Sequence, residues 1–428
     1  MIYSLQDSSK SLIATAIGHF ANDGLLGIFP IIYPILLLQT YSFTPSSIGV
    51  IGATLNAFAI VMSPFIGRRS DARRNFARLM IIGVVTVAVG LAGFALALGF
   101  FHGIDLFLVL ILFASIAGFG SSFYHPVGAA IIDEQIGRKN RGRAFGINGS
   151  MGTFGMVSFP IIAVALIGVL GTASIILLSF GGLATAASIY MLIRKVRFRS
   201  IPDLRYEGSQ EGKLGPSSSS GTGPQKAWRS QRITVPLKVV IPPILALTIY
   251  SFITSVFSQS VTQFLPLYLN SVDHVQYSYV ALAASVMPGM GIISQPVVGQ
   301  LTDMFDRRLV LAISSLGALV AMLLFVVASN ILEAEIFLAI SGMFQFTGFP
   351  LILGLSNEIS LKDAKTFSSS IVWGVGFVGG GVVGPIVLGM LAEPAFLGSL
   401  SMAFLAVTFI GFFAVPLIPF IPKPTRSN

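Results

Sequence analysis

SPFIGRRSDARRNFAR, Ser63 to Arg78, has a second version 232 positions later in QPVVGQLTDMFDRR, Gln295 to Arg308. Pro64, Gly67 and Asp71 fall on Pro296, Gly299 and Asp303. The same offset carries Phe20 onto Phe252 and Pro34 onto Pro266. Further on it shortens to 224, and Pro126, Glu134 and Arg141 fall on Pro350, Glu358 and Lys365. A repeat kept over so long a stretch marks a duplicated unit, so whatever the first half folds into, the second half builds again.

The unit is made of membrane spans. Of 428 residues 54% are hydrophobic and 10% charged, and the mean hydropathy is +0.85. A soluble domain is about a quarter charged. Apolar stretches long enough to cross a hydrocarbon core of about 30 Å occur near 11–38, 45–66, 79–100, 105–134, 144–168 and 172–193. Six more follow near 237–269, 276–300, 309–328, 333–357, 366–391 and 396–421. The alternation of barrel strands is absent. The predicted fold class is an all-α membrane protein with twelve transmembrane helices in two pseudo-symmetric six-helix bundles, residues 1–193 and 237–428. Residues 194–236 join them, and Gly208, Gly215 and serines 217–220 give that stretch the composition of a flexible linker. The first span contains Asp23 and is too long for a leader, so it is expected to stay in the chain.

The net charge is +9. With a cytoplasmic amino terminus, all 26 lysines and arginines fall in loops 67–78, 135–143, 194–236, 301–308 and 358–365, the tails, or the adjoining helix ends. The opposite loops carry Asp273, Glu333, Glu335 and Glu393 and no base. The positive-inside rule then predicts a multi-pass cell-membrane protein with both termini cytoplasmic, and the basic excess reports topology rather than nucleic-acid binding. With no cysteine and four histidines scattered along the chain, neither a disulfide nor a metal site is expected, and no cofactor is implied. No nucleophile, base and oxyanion donor converge, which argues against an enzyme.

Two six-helix halves joined by a cytoplasmic linker are the plan of alternating-access transporters. GRRSDARRNFAR, Gly67 to Arg78, and GQLTDMFDRR, Gly299 to Arg308, resemble the loop motif of the major facilitator superfamily, found between helices two and three and again between eight and nine. EQIGRKNR, Glu134 to Arg141, and EISLKDAK, Glu358 to Lys365, resemble that superfamily's acid-then-base pattern after helices four and ten. Gly67, Asp71, Glu134, Arg141, Gly299, Asp303, Arg307, Arg308, Glu358 and Lys365 are thereby expected to gate the inner mouth. Their ion pairs, each worth about 0 to 1 kcal/mol in water, would bias a balanced equilibrium without locking it.

Asp23 lies near the middle of the first span. An unpaired carboxylate there costs at least about 2.5 to 3.5 kcal/mol, so it must face a cavity, find a partner or hold a proton. His19 is one turn earlier on the same face. His125 is near mid-depth in helix four, and the superfamily resemblance places helices one and four together on a central cavity. Asp23, His125 and His19 are therefore expected to couple transport to protons. Their counterparts Ser255, Phe349 and Ser251 confine the group to the first half. The remaining mid-span polar and aromatic residues, Asn22, Tyr33, Tyr124, Asn148, Tyr250, Gln259, Gln263, Gln345 and Trp373, are expected to line the substrate cavity. No lysine or arginine sits at that depth, which disfavours anionic cargo and suits hydrophobic, neutral or cationic organic solutes. Gly149, Gly152 and Gly155 in helix five resemble the superfamily's antiporter motif, and the glycines of helix eleven read as close-packing steps.

GHFANDGLLGIFPIIYP (Gly18 to Pro34), FGSSFYHPVGAAI (Phe119 to Ile131) and RGRAFGINGSMGTFG (Arg141 to Gly155) resemble the fosmidomycin-resistance branch of the superfamily, with His19, Asn22, Asp23, Tyr124, His125 and Pro126 matching its pattern. That resemblance implies proton-driven drug export. The expected function is a proton-coupled secondary active transporter that exports an organic solute or drug, its partners being that solute, protons and the lipid bilayer, and its working form a monomer. A proton-coupled uptake symporter for an uncharged nutrient, and a transport-inactive sensor using the same cavity, remain open alternatives.

Overall fold

A computed structural model describes residues 5–38, 43–73, 75–136, 141–194, 196, 237–360, 368 and 371–423. Among these residues twelve helices are long and apolar enough to cross a membrane. The first six are α1 (Leu5–Leu38), α2 (Pro45–Arg73), α3 (Phe76–Phe100), α4 (Gly103–Gln135), α5 (Arg141–Leu170) and α6 (Ile176–Ile193). The second six are α7 (Leu237–Ser271), α8 (Tyr277–Met304), α9 (Arg307–Val326), α10 (Ile331–Ile359), α11 (Val372–Ala392) and α12 (Leu400–Phe412).

Several ends depart from the apolar stretches for local reasons. Hydropathy marks where a chain stops being apolar, not where its amide ladder stops. Helix α1 thus begins at Leu5, and α2 runs on through the repeated motif to Arg73. Helix α12 stops at Phe412 and continues as a 3-10 segment, Val415–Phe420, because Pro416 and Pro419 have no N–H to give an α-helical ladder. Helix α11 opens with a π turn, Val372–Val378, before regular helix from Gly379. Side-chain caps fix three starts: Asn330 accepts from the Glu333 N–H at 3.1 Å, Asp306 from the Arg308 N–H at 2.9 Å, and Ser399 from the Met402 N–H at 3.5 Å.

In the first half α1 packs on α4, α5 and α6, and α2 and α3 pack on α4; in the second, α7 packs on α11 and α12, and α10 on α8 and α9. The halves meet along α2 with α11 and α5 with α8, while α1 lies against α7. Large apolar side chains such as Ile104, Val169, Phe180 and Leu332 stay exposed around the outside, as suits a surface facing lipid tails rather than water.

The contacts between halves join firmly at the end that carries the acidic loops. Tyr33 donates to Gln263 Oε1 at 3.0 Å, Tyr277 donates to the Ile31 carbonyl at 3.1 Å, and the Ser46 N–H donates to Glu393 Oε1 at 2.9 Å. Ser46 lies in the first turn of α2, so a carboxylate from one half caps an orphan N–H, and complements the dipole, of a helix in the other. A Cβ at Gly49 would stand 2.3 Å from the Pro385 carbonyl oxygen, so there the backbones of α2 and α11 touch. Deeper in, Asn56 donates to the Gly381 carbonyl at 3.3 Å and Gln295 to Thr153 at 3.1 Å. The acidic end is closed.

Candidate functional site

Asp23 sits in the middle of α1, sixteen residues after Asp7 and thirteen before Leu36, the limits of its membrane-spanning stretch. Its carboxylate is held on three sides. His19 Nε2 lies 3.0 Å from Oδ2, Asn22 donates to Oδ1 at 2.8 Å, and His125 Nε2 stands 3.9 Å from Oδ1. The last distance is too long for a hydrogen bond but close for a charge interaction. Asn22 also reaches Ser121 on α4 at 3.3 Å, tying the two helices beside the carboxylate.

The ring of His19 is fixed from behind. Its Nδ1 is 2.7 Å from the backbone carbonyl of Asn148 on α5, and a carbonyl only accepts, so Nδ1 carries a proton. The ring stacks on Tyr124 at 4.7 Å and meets His125 edge-on at 5.4 Å. Tyr124 donates to the Thr15 carbonyl at 2.8 Å, and the Asn148 side-chain amide lies 2.9 Å from the same hydroxyl, so phenol and imidazole are braced by one residue.

With Nδ1–H committed, a neutral His19 would turn a lone pair at Nε2 toward a carboxylate 3.0 Å away. Two lone pairs do not sit at that distance, so the contact holds a proton, as imidazolium with carboxylate or imidazole with carboxylic acid. Room for the contact comes from α5. A Cβ at Gly152 would lie 2.6 Å from His19 Nε2 and 2.8 Å from Asp23 Oδ2, and one at Gly155 would lie 2.1 Å from the Phe20 carbonyl. The glycines that resemble an antiporter motif are what let α5 approach the charged pair.

The second half contributes Trp373. The π turn of α11 places its indole 5.6 Å from the His125 ring and stacked at 4.5 Å and 7° on Phe377. An insertion in the helix ladder of this sort often serves to aim a side chain at a functional site.

The structure thus brings Asp23, His19 and His125 together as expected, and adds Ser121, Thr15, Gly152 and Phe377 to their surroundings. Asn22, Asn148 and Tyr124 brace the charged group instead of lining a cavity. Tyr33 and Gln263, also expected to line the cavity, are buried in a bond between the halves. Tyr250 is turned into the second half, hydrogen-bonded to Ser315. Gln259 lies beside Gly381 and Asn56, where the halves meet, and Gln345 is half-buried on α10.

Of the expected gating pairs, Arg307 and Glu358 meet at 3.0 Å within the second half. A Cβ on Gly354 would stand 2.3 Å from the Arg307 guanidinium, so the glycine gives that arm its path. Arg308 turns elsewhere, donating to the Ile421 carbonyl at 3.1 Å and pairing with Asp306 at 3.5 Å. It ties down the C-terminal segment. Gly67 and Gly299 lie within α2 and α8. The side chains of Asp71, Glu134, Arg141 and Asp303, and all of Lys365 and nearly all of the linker 194–236, lie outside the described residues.

Twelve spans in two similar halves, with a half-buried ionisable group at mid-span, are matched by a family profile. The Major Facilitator Superfamily profile covers residues 15–379. The chain belongs to the major facilitator superfamily. Members of this superfamily are transporters of small solutes and not enzymes, and the chain is a multi-pass membrane protein. It is 27% identical over 408 residues, 95% of its length and 92% of the relative's, to the "Uncharacterized MFS-type transporter YfnC" of Bacillus subtilis (strain 168). Among solved structures it resembles a D-xylose-proton symporter, with TM-score 0.74 and 13% identity over 98% of both chains. It also resembles a bacterial homolog of the human lysosomal transporter Spinster in an inward-facing and occupied conformation, with TM-score 0.70 and 14% identity over 96% of both chains. At these identities the two structures share the facilitator fold with this chain, and the match reaches no further.

Proposed function

We propose that this facilitator is a proton-coupled exporter of a hydrophobic, neutral or cationic organic solute, working as a monomer in the cell membrane with both termini cytoplasmic. The observation that carries the reading is the proton required between His19 and Asp23, 3.0 Å apart in the middle of the first helix. In the protonated state the pair is neutral overall; without the proton the site carries one negative charge. An organic cation entering beside His125 would find the parallel Trp373 and Phe377 rings for apolar and cation–π contact, and an uncompensated carboxylate only when the proton has left. Solute and proton then compete for one carboxylate, which is the elementary requirement for exchange.

The bundles 1–193 and 237–428 would rock about the linker, breaking the contacts of Tyr33, Ser46 and Tyr277 at the acidic end to open that side. The likeness of the Gly18–Pro34 and Phe119–Ile131 stretches to fosmidomycin-resistance transporters supports the export direction. Labelled organic cations in oriented membrane vesicles test it. Accumulation in inverted vesicles with an acidic interior is the expected result. Accumulation only in right-side-out vesicles bathed in acid would mean uptake symport, the activity named for the D-xylose-proton symporter that shares the fold.

A further inference from the structure

His19 and His125, far apart in sequence, converge with Asp23. Within the triad one ligating atom each from His19, Asp23 and His125 lies within 4.8 Å of the others. We propose that this triad is a binding site for a first-row divalent transition ion of the zinc, cobalt or nickel kind, a capacity beyond the proton-coupled export proposed above and in competition with its proton.

The donor set fits that class. Two imidazoles and a carboxylate suit borderline ions, whereas magnesium and calcium take oxygen ligands. Ligands about 2.0 to 2.2 Å from a tetrahedral zinc are about 3.3 to 3.6 Å from one another; His19 Nε2 lies 3.0 Å from Asp23 Oδ2, and His125 Nε2 lies 3.9 Å from Asp23 Oδ1. The three ligating atoms lie within 4.8 Å of one another, and His125, 31% exposed, has room for the shift of about 1.5 Å that would draw them together.

The hydrogen bonding behind His19 is an independent sign of ligation. Its Nδ1–H is donated to the Asn148 carbonyl at 2.7 Å, so Nε2 is the nitrogen turned toward Asp23 and the one free to ligate once the shared proton has left. A ligating histidine almost always shows this outer bond, which fixes the tautomer and raises the basicity of the free nitrogen. On Asp23, the Asn22 amide steadies Oδ1 at 2.8 Å. Three protein ligands leave a fourth position for an exchangeable ligand, as in zinc sites that keep one open. The charge balance is favourable too: one carboxylate with neutral imidazoles meets a divalent cation, and the sequence puts no lysine or arginine at mid-span depth. Ion and proton are alternative ways to fill one gap.

The test uses the full chain purified in detergent without a polyhistidine tag, so that its own four histidines are the only ones present. Cobalt(II) is titrated while the visible spectrum is followed, and zinc binding is measured by calorimetry with excess magnesium present. The expected results are a tetrahedral cobalt band saturating at one ion per chain, and a zinc affinity at least ten-fold weaker in both His125→Ala and Asp23→Asn. Exposed His102 and His274 serve as controls, and His102→Ala with His274→Ala should leave binding unchanged. Absence of the cobalt band in the wild type, zinc binding that survives both triad substitutions, or loss of binding in the control pair would overturn the proposal. Because no transport is measured, an ion site can be found or rejected whatever the protein exports.

Discussion

His19 Nδ1 lies 2.7 Å from the backbone carbonyl of Asn148, and that bond, the shorter of its two contacts with Asn148, turns the other ring nitrogen to Asp23. A side chain of similar reach that cannot become a cation should keep the packing and lose the proton. His19→Gln is expected to retain exchange of labelled for unlabelled solute across the membrane while proton-driven accumulation falls at least about ten-fold, or about 1.4 kcal/mol. Comparing the two assays on one reconstituted preparation checks this. Equal losses in both would point to a merely structural role for the ring.

Gly152 gives a test of the packing behind the pair. A Cβ there would stand 2.6 Å from the His19 ring, whereas one at Gly146 on the same helix would meet nothing within 4 Å. Gly152→Ala should cost about 1 to 3 kcal/mol by overpacking and lower turnover with it. Gly146→Ala should leave stability unchanged or raise it by up to about 1 kcal/mol, through helix propensity. Thermal unfolding of both variants in the same detergent decides the comparison.

Closure at the acidic end rests on a small number of contacts between halves. Tyr33→Phe removes the bond to Gln263, and Glu393→Gln weakens the cap on α2. A bond of this kind is worth about 0.5 to 1.5 kcal/mol, which changes a population ratio by roughly two- to twelve-fold. The chain has no cysteine, so spin labels on Val169→Cys and Leu332→Cys report the distance across that end without background. The share of the longer distance should rise in each variant.

Asp273, in the loop between α7 and α8 and outside the spans, has its carboxyl pushed up to about 6 by burial, with His274 pulling the other way. The folded chain therefore keeps a proton there that the unfolded chain releases from about pH 4 upward. Stability contributed by this group is highest at low pH and falls as the pH rises to about 6, with no further change above. Asp273→Asn should raise the unfolding midpoint at pH 7.5 and leave it unchanged at pH 4.

The twelve spans, the duplication and the charged group were legible because each depends on composition at a given depth. Asp23 and His125 stand out in any apolar stretch, since a bilayer penalises them wherever they point. Gly152 and the Asn148 carbonyl belong to the same site, but their part is set by how closely two backbones approach, which no spacing reports. Tyr33 and Gln263 show the opposite difficulty. A polar residue at mid-depth reads alike whether it faces a cavity or bonds across an interface, and only the packing of α1 on α7 separates the two. The π turn in α11 was hidden for a similar reason: the glycines around Trp373 permit a broken ladder without requiring one.

The central claim is that Asp23 carries the coupled proton. The most direct measurement is internal pH in proteoliposomes challenged with organic cations, neutral drugs and nutrients, with wild type and Asp23→Asn side by side. A solute-dependent pH change in the wild type, absent from a folded Asp23→Asn protein that still binds the solute, is the predicted result. A solute-driven proton flux of equal size in the variant would contradict it.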